Sequence, residues 1–243
     1  MRIVLIVMCV VTIGVAQERR FTPPPPTNLK VLPDTTSGQA VRELMGTFTG
    51  ALGVRCTYCH VSKEGNGFPE FDFASDAKPQ KDIARGMLRM VMDINNNKIK
   101  KMFPNDPNPI EVSCVTCHRG TTEPRSIEDI VWNVYTKQGI DPAVARYKEL
   151  RSQFYGSFTY DFREFPLMSV ASRCENVHQY NDAVKFLELN AEYFPDSPHT
   201  KTSLASVYIE MNQKEKAKSL LNEVLKAHPN DRRAKMVLEN IGN

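Results

Sequence analysis

Apolar residues recur at helical spacing in the first half of the chain. Met45, Phe48 and Leu52 lie at positions i, i+3 and i+7, so they share one face of a helix. Thr36 is placed to begin this helix as the first residue of a capping box, and Gly53 is placed to end it. The pattern predicts an amphipathic helix that presents a methionine shortly before a cysteine-containing segment.

A second predicted helix has the same arrangement of methionine on its apolar face. Met87, Met90 and Ile94 repeat the i, i+3, i+7 spacing. If Ile94 is aligned with Leu52 of the first helix, Met87 takes the position of Met45. The alignment favours Met87, with Met90 as its runner-up, although core packing is the commoner fate of a methionine on such a face.

The C-terminal part of the sequence contains an internal repeat. Small and apolar residues recur 34 positions apart, and a proline closes each unit. The recurring pairs are Ala171 and Ala205, Ala183 and Ala217, Phe186 and Leu220, Leu187 and Leu221, and Pro195 and Pro229. This period resembles the tetratricopeptide repeat, whose stacked helix pairs offer a concave surface to partner proteins.

The repeat period also predicts how the C-terminal helices are arranged. Two units are expected at residues 167–197 and 198–231, followed by a capping helix at 232–241. Asp141 is placed to cap a helix that precedes them, and Cys174 is predicted to be a buried, small apolar side chain. Fewer than three repeats seldom stand alone, so the alternative is that they merely shield the preceding domain.

The N-terminal sequence has the features of an export signal. Arg2 is followed by an apolar run that is shorter than the roughly 20 residues of a spanning helix, and small residues precede Gln17. We therefore expect the mature protein to begin near Gln17. The predicted segments are a signal peptide (1–16), a proline-rich leader (17–27), a Cys- and Met-rich domain (28–125), connecting helices (126–166), and the repeats with their capping helix (167–243).

Composition excludes several classes of protein. The 243 residues carry 31 Lys and Arg against 28 Asp and Glu, and a net charge of +3 gives no basis for nucleic-acid binding. The hydrophobic fraction of 41% and the charged fraction of 24% are ordinary for a globular protein. Six cysteines are too few for a disulfide scaffold in a chain of this length.

The cysteines matter through their placement. Cys56, Cys59 and His60 form a C-x-x-C-H motif, and the same motif recurs with Cys114, Cys117 and His118. This is the c-type haem attachment sequence, in which two thiols bond covalently to haem and the adjacent histidine binds the iron as proximal ligand. A thioredoxin-like pair, a four-cysteine zinc site and two disulfides are the alternatives, and none of them explains why a histidine follows each pair.

Further positions around the two motifs form a recognisable set: Leu44, Met45, Phe48, 51–54, 56–60, Ile83, Ala84, 89–91, 93–95, Cys114, 116–118, Gly120 and Pro124. This set resembles the C-terminal half of the tetrahaem photosynthetic reaction-centre cytochrome c subunit, over about residues 28–125. The resemblance implies a multihaem c-type cytochrome domain of helices and long loops. Together with the 34-residue period, it predicts a mainly α protein in which helical tetratricopeptide-like repeats follow that domain.

The resemblance also bears on the distal iron ligands. In the family, the position of Met45 is a distal ligand, which agrees with the helical pattern. The last haem of some members takes a distal histidine from the other half of the subunit, and we expect Met87 to replace that histidine here. Met90 remains the alternative to Met87 for the second haem.

These features predict a non-enzymatic electron carrier with two covalently bound c-type haems. Because the chain has an export signal, we expect it in the periplasm, associated with the membrane through a partner. The expected partners are redox proteins of a membrane-associated electron-transfer complex and a protein bound by the repeats. The alternative is a peroxidase-like haem enzyme or a haem-based sensor, which needs one open iron position.

Overall fold

The computed structural model describes residues 25–63 and 70–242. The predicted signal peptide at 1–16 lies outside the described residues, as does the leader up to residue 24. The chain divides into two compact units. The first contains the residues up to Gly50 together with Arg55–Val112, and the second contains Ala51–Val54 together with the chain from Ser113 onward.

Helices account for most of the described residues, which confirms the predicted mainly α fold. In the first half of the chain the helical segments are α1 (Gly38–Leu52), α2 (Pro79–Asp93), a π-helix (Ile94–Ile99), α3 (Lys100–Met102) and α4 (Cys114–His118). Those that follow are α5 (Ile127–Gln138), α6 (Ile140–Phe154), α7 (Phe165–Asn176), α8 (Tyr180–Tyr193), α9 (Pro198–Glu210), α10 (Lys214–Ala227) and α11 (Arg232–Gly242). No helix of the described ranges has the length and apolar character needed to cross a bilayer.

A small sheet was not predicted from the sequence. Strand β1 (Val61–Lys63) pairs antiparallel with β2 (Glu70–Asp72), with Ser62 opposite Phe71. Each strand has only three residues, which is too short for alternating polarity to stand out along the sequence. The sheet begins immediately after the first C-x-x-C-H motif.

The ends of α1 show where local sequence signals succeed and fail. Ser37 caps the helix, because its hydroxyl oxygen accepts a hydrogen bond from the Ala40 N–H at 3.2 Å. The predicted cap at Thr36 is wrong by one residue, since the Thr36 hydroxyl instead donates to the Pro33 carbonyl at 2.7 Å. Gly53 ends the helix as predicted, with a φ of +65° that glycine adopts freely.

One face of α2 is held by charges around Asp76. The Asp76 carboxylate pairs with Arg85 at 2.8 Å and with Lys81 at 3.2 Å. It also pairs with Lys30 at 2.5 Å, on the segment before α1. Hydrogen bonds from Arg85 and Lys30 hold the pKa of Asp76 well below its usual range. Arg85 is buried and also binds Asp82 at 2.6 Å, so this face of α2 is occupied by polar partners.

The repeats form the predicted helix pairs. Helices α7 and α8 pack as one pair, α9 and α10 as the next, and α11 packs against α9 and α10. The alanines of the repeat period are fully buried, and they are Ala171, Ala183, Ala205 and Ala217. A side chain this small lets neighbouring helices approach closely, which explains why alanine recurs at these positions.

Helices α5 and α6 share a hydrophobic core with the first repeat pair. Their buried side chains include Ile127, Val131, Tyr147 and Leu150. Cys174 is fully buried in the same core, as predicted. The predicted cap at Asp141 is wrong, because α6 begins at Ile140 after Gly139, which leaves Asp141 inside the first turn. A carboxylate there still interacts favourably with the helix dipole.

Candidate haem sites

The first C-x-x-C-H motif forms a tight turn between α1 and β1. Residues Cys56–Tyr58 make one turn of 3₁₀-helix. The Cys56 carbonyl accepts hydrogen bonds from the N–H groups of Cys59 at 3.3 Å and His60 at 2.9 Å. Such a turn brings residues three and four positions apart to one side of the backbone. The two thiols and the imidazole are therefore grouped, as attachment to a single haem requires.

The surroundings of His60 keep its imidazole neutral. The side chain is buried, and its ring packs edge-on against Phe73 with the centroids 5.1 Å apart. Burial lowers the pKa of His60, and the positive charges of Lys81, Lys78 and Arg85 lower it further. Its buried Nδ1 atom has no hydrogen-bond partner among the described residues. Neutral imidazole is the form that binds a metal, so this histidine suits an axial ligand.

The second motif occupies the short helix α4. Ser113 begins the helix, and its N–H donates to the Thr116 hydroxyl at 3.0 Å in a capping box. Cys114, Cys117 and His118 lie at positions i, i+3 and i+4 of this helix. Helical spacing places such residues on one face, so the second motif also groups its thiols with its imidazole.

His118 is oriented by the residue three positions further on. Its Nδ1 lies 2.9 Å from the Thr121 carbonyl, and the Thr121 N–H and hydroxyl both donate to the His118 carbonyl at 3.0 Å. The carbonyl favours the tautomer with the proton on Nδ1, which leaves the Nε2 lone pair free for a metal. Metal-ligating histidines are commonly held by such a bond. Sequence reasoning missed Thr121, whose only signal is its position shortly after the motif.

The four motif thiols suit covalent attachment better than zinc or redox chemistry. They are free in the structure, with Cys56 and Cys117 exposed and Cys59 and Cys114 half-buried. Burial raises the pKa of Cys59 and of Cys114, so both are protonated thiols at neutral pH. A reactive redox cysteine has a lowered pKa, which neither of these two thiols shows. The described residues also contain no group of three or more His, Cys, Asp or Glu that could hold a metal ion, which argues against a zinc site.

The predicted distal ligands lie on the helices that the sequence assigned to them. Met45 is half-buried on α1. On α2, Ile83, Met87 and Met90 form an exposed apolar stripe, with exposed fractions of 61%, 41% and 50%. Met87 and Met90 are about 60° apart around the helix axis, so both face the same side. Arg85 lies on the opposite face, and the choice between the two methionines stays a prediction.

The first unit has almost no apolar core of its own. Ile99 is the single buried apolar side chain among its described residues, beside the polar His60 and Arg85. Its exposed large apolar side chains are Tyr58, Phe73, Ile83, Met87, Met90, Met92, Met102, Phe103 and Ile110. A soluble domain rarely exposes so many large apolar residues unless they meet a partner or ligand. A porphyrin is a large apolar ligand of the kind that such side chains contact.

Known proteins match the chain across the two motifs. The sequence model of the photosynthetic reaction centre cytochrome C subunit family matches residues 28–162. The photosynthetic reaction center cytochrome c subunit of Rubrivivax gelatinosus is 37% identical over 117 residues, covering 40% of this chain and 30% of the relative. Cytochrome c-554 of Chloroflexus aurantiacus is 39% identical over 101 residues, covering 42% and 22%. The chain thus spans less than a third of the length of these relatives.

A second match covers the C-terminal helices. The tetratricopeptide repeat family model matches residues 177–241. Among solved structures, the first TPR domain of human RPAP3 aligns with a TM-score of 0.35 at 15% identity, over 48% of this chain and 87% of that one. The secretion chaperone SycD of Yersinia enterocolitica aligns with a TM-score of 0.34 at 15% identity, over 48% and 89%. The repeat assignment rests on the family match and on the observed helix pairs.

Two turns that group thiols with an imidazole, beside helices that carry methionine, define a c-type cytochrome. The cytochrome relatives imply a covalently bound c-type haem. The chain belongs to the photosynthetic reaction centre cytochrome C subunit family, and tetratricopeptide repeats follow the family segment. That segment continues to residue 162 and so includes α5 and α6, whereas the domain boundaries drawn from the sequence stay predictions.

Proposed function

We propose that the protein is a dihaem c-type cytochrome that carries electrons in the periplasm. The observation that supports this best is that two C-x-x-C-H motifs each form a helical turn. The first unit also exposes methionine and aromatic side chains that a haem would contact. A bound haem supplies a one-electron iron couple. Family membership supports the cytochrome role, while the count of two haems follows from the two motifs.

Each motif would hold one haem through its own residues. Thioether attachment is assigned to Cys56 and Cys59 in the first motif and to Cys114 and Cys117 in the second. The proximal imidazoles are His60, kept neutral by burial, and His118, oriented by its bond to the Thr121 carbonyl. Because both rings are fixed by the protein, neither needs to reorganise when an electron arrives or leaves.

The distal side decides between electron transfer and catalysis. Met45 and Met87, with Met90 as the alternative to Met87, would close the iron positions to water and external ligands. The other three histidines, His178, His199 and His228, belong to the repeat region. No histidine besides the two proximal ones is therefore present in the sequence around the motifs for acid–base work.

Two measurements on the purified holoprotein test this proposal. Mass spectrometry after acid and denaturant should find two haems on the mature polypeptide, because thioether bonds do not depend on the fold. A mass of one haem, or zinc in a metal assay, would overturn the dihaem assignment. The reduced protein should bind little carbon monoxide. Complete binding at one haem would replace the carrier with the peroxidase-like enzyme or the sensor.

We further propose that the repeats dock the cytochrome to a protein partner within a membrane-associated electron-transfer complex. Stacked helix pairs provide the surface, and the test compares membrane binding of the full chain with that of a chain lacking residues 177–243. Lost binding with unchanged haem spectra supports docking. Altered haem spectra would instead assign the repeats a shielding role. Cell fractionation tests the periplasmic location, and determination of the N-terminal residue of the mature protein tests the expected cleavage near Gln17.

A further inference from the structure

The segment that leads into the second motif is exposed throughout. All residues from 100 to 111 are exposed, which is twelve consecutive positions. The hydrogen bonds within it are local, such as that from the Asp106 N–H to the Phe103 carbonyl at 3.3 Å. A segment whose side chains are all exposed opens easily. The order of the chain at Val112 therefore depends on what holds the end of this segment.

Asn95 holds that end with both groups of its side-chain amide. Its Nδ2 donates to the Val112 carbonyl at 2.8 Å, and its Oδ1 accepts from the Val112 N–H at 2.9 Å. Both contacts are half-buried and join residues 17 positions apart in the sequence. The Asn95 side chain thus satisfies both the N–H and the carbonyl of the Val112 backbone, as a neighbouring β-strand would.

Asn95 is rigidly connected to the methionine-bearing helix. It lies in the π-helix that directly continues α2, and the Ile94 N–H bonds to the carbonyls of both Met90 and Val91 across the junction. The π-helix also buries Ile99, the one apolar anchor of the first unit's described residues. Such widened turns are rare and frequently lie at functional sites.

We propose that Asn95 is a positioning residue that holds Val112, at the end of the exposed segment, against the π-helix that continues α2. Val112 precedes Cys114 by two residues, so their Cα atoms are at most about 7.6 Å apart. The inference rests on the proposed function, in which Cys114 would attach the second haem and Met87 would be its distal ligand. Without the two hydrogen bonds, Val112 would no longer be fixed to the π-helix, and the chain that enters the second motif would lose that restraint.

The experiment compares the wild-type holoprotein with Asn95→Ala and with the control Asn97→Ala. Asn97 lies on the same π-helix but is exposed, and its Nδ2 donates only locally to Asp93 at 2.7 Å. In Asn95→Ala, hydrogen exchange at the Val112 amide should speed up by about tenfold or more. One haem should show a lower midpoint potential and a weaker sulfur-to-iron absorption band. The other haem and the covalent haem content should not change, and Asn97→Ala should behave as wild type.

A conservative variant keeps the test decisive if Asn95→Ala yields no holoprotein. Asn95→Asp retains an oxygen for the Val112 N–H, but its second oxygen can donate to the Val112 carbonyl only when protonated. Its defect at pH 7 should therefore shrink once the pH falls below the ordinary aspartate pKa of about 3.9, with the wild type measured at the same pH as reference. Unchanged Val112 exchange and unchanged haem potentials in the Asn95 variants would overturn the inference, as would equal shifts in Asn97→Ala.

Failure of this inference can be distinguished from failure of the proposed function. If the wild-type second haem lacks a methionine ligand, its absorption band is absent before any mutation, and the assignment of Met87 fails. The carrier proposal fails only if that haem also binds carbon monoxide. Amide exchange at Val112 still reports whether Asn95 holds the entry of the motif, because it does not depend on haem ligation.

Discussion

The backbone of Gly53 lies directly against that of Gly120. A Cβ atom on Gly53 would lie 2.2 Å from the Gly120 carbonyl oxygen, and the Gly120 N–H donates to the Ala51 carbonyl at 2.8 Å. Gly53 is three residues before Cys56, and Gly120 is two residues after His118. This contact, inside the second unit, therefore joins the end of α1 to the turn that follows the second motif.

The contact predicts that Gly53→Ala is strongly destabilising. Alanine would need both a φ of +65° and space already taken by the Gly120 backbone, at a cost of about 1–3 kcal/mol or more. Thermal unfolding of the oxidised holoprotein should show a lower midpoint. Gly46→Ala is the matched control, because Gly46 lies inside α1 with open space around it and should gain about 0.5–1 kcal/mol. Equal stability of the two variants would contradict this account.

Met45→Ala should open one haem. A thioether ligand favours ferrous iron more than water or hydroxide does, so the potential of that haem should fall. The reduced variant should bind carbon monoxide at one haem of the two. Met92→Ala is the control, since it removes a methionine at a different position around α2, with 40% of its side chain exposed. The assignment of Met45 fails if both haems of Met45→Ala stay closed to carbon monoxide.

Met87→Ala and Met90→Ala distinguish the two candidates for the second haem. Met87→Ala should produce carbon monoxide binding and a lower potential at that haem. Met90→Ala should only weaken packing, and because Met90 is 50% exposed the loss of stability should stay below the 2–5 kcal/mol of a buried methionine. If Met90→Ala opens the haem and Met87→Ala does not, the sequence alignment of the two helices is wrong, and Met90 rather than Met87 corresponds to Met45.

Asp76→Asn should change how stability depends on pH. In the folded state the pKa of Asp76 lies below the unfolded value of about 3.8. As the pH falls below 3.8, the unfolded chain therefore becomes protonated at Asp76 while the folded chain stays ionised. This part of the stability is complete above the unfolded pKa and is lost as the pH falls. The variant should therefore be less stable than wild type at neutral pH, with a difference that narrows in acid.

Denaturant unfolding of holoprotein between pH 7 and pH 3 measures this effect. The exposed Asp34→Asn is the control, and it should follow the wild-type curve. A stability difference between wild type and Asp76→Asn that stays constant across this range would argue against the ion-pair cluster with Arg85, Lys81 and Lys30.

Features that depend on short or regular spacing were predictable from the amino-acid sequence. Each C-x-x-C-H motif lies within five residues, so its chemistry is complete before folding. The 34-residue period predicted the buried alanines and the helix pairs, because each repeat packs its helices against its neighbours through the same positions. Cap positions were less secure: Thr36 and Asp141 missed by one or two residues, since several nearby polar groups compete for the same backbone donors.

The contacts between distant residues that support the motifs became visible in the folded chain. Asn95 with Val112, Asp76 with Lys30, and Gly53 with Gly120 are separated by 17 to 67 positions, and no periodicity links them. Hydrogen bonds and backbone contacts of this kind depend on where the chain returns in space. The polar run after Asp93 carries no sequence sign of the π-helix in which Ile99 is buried and Asn95 bonds to Val112.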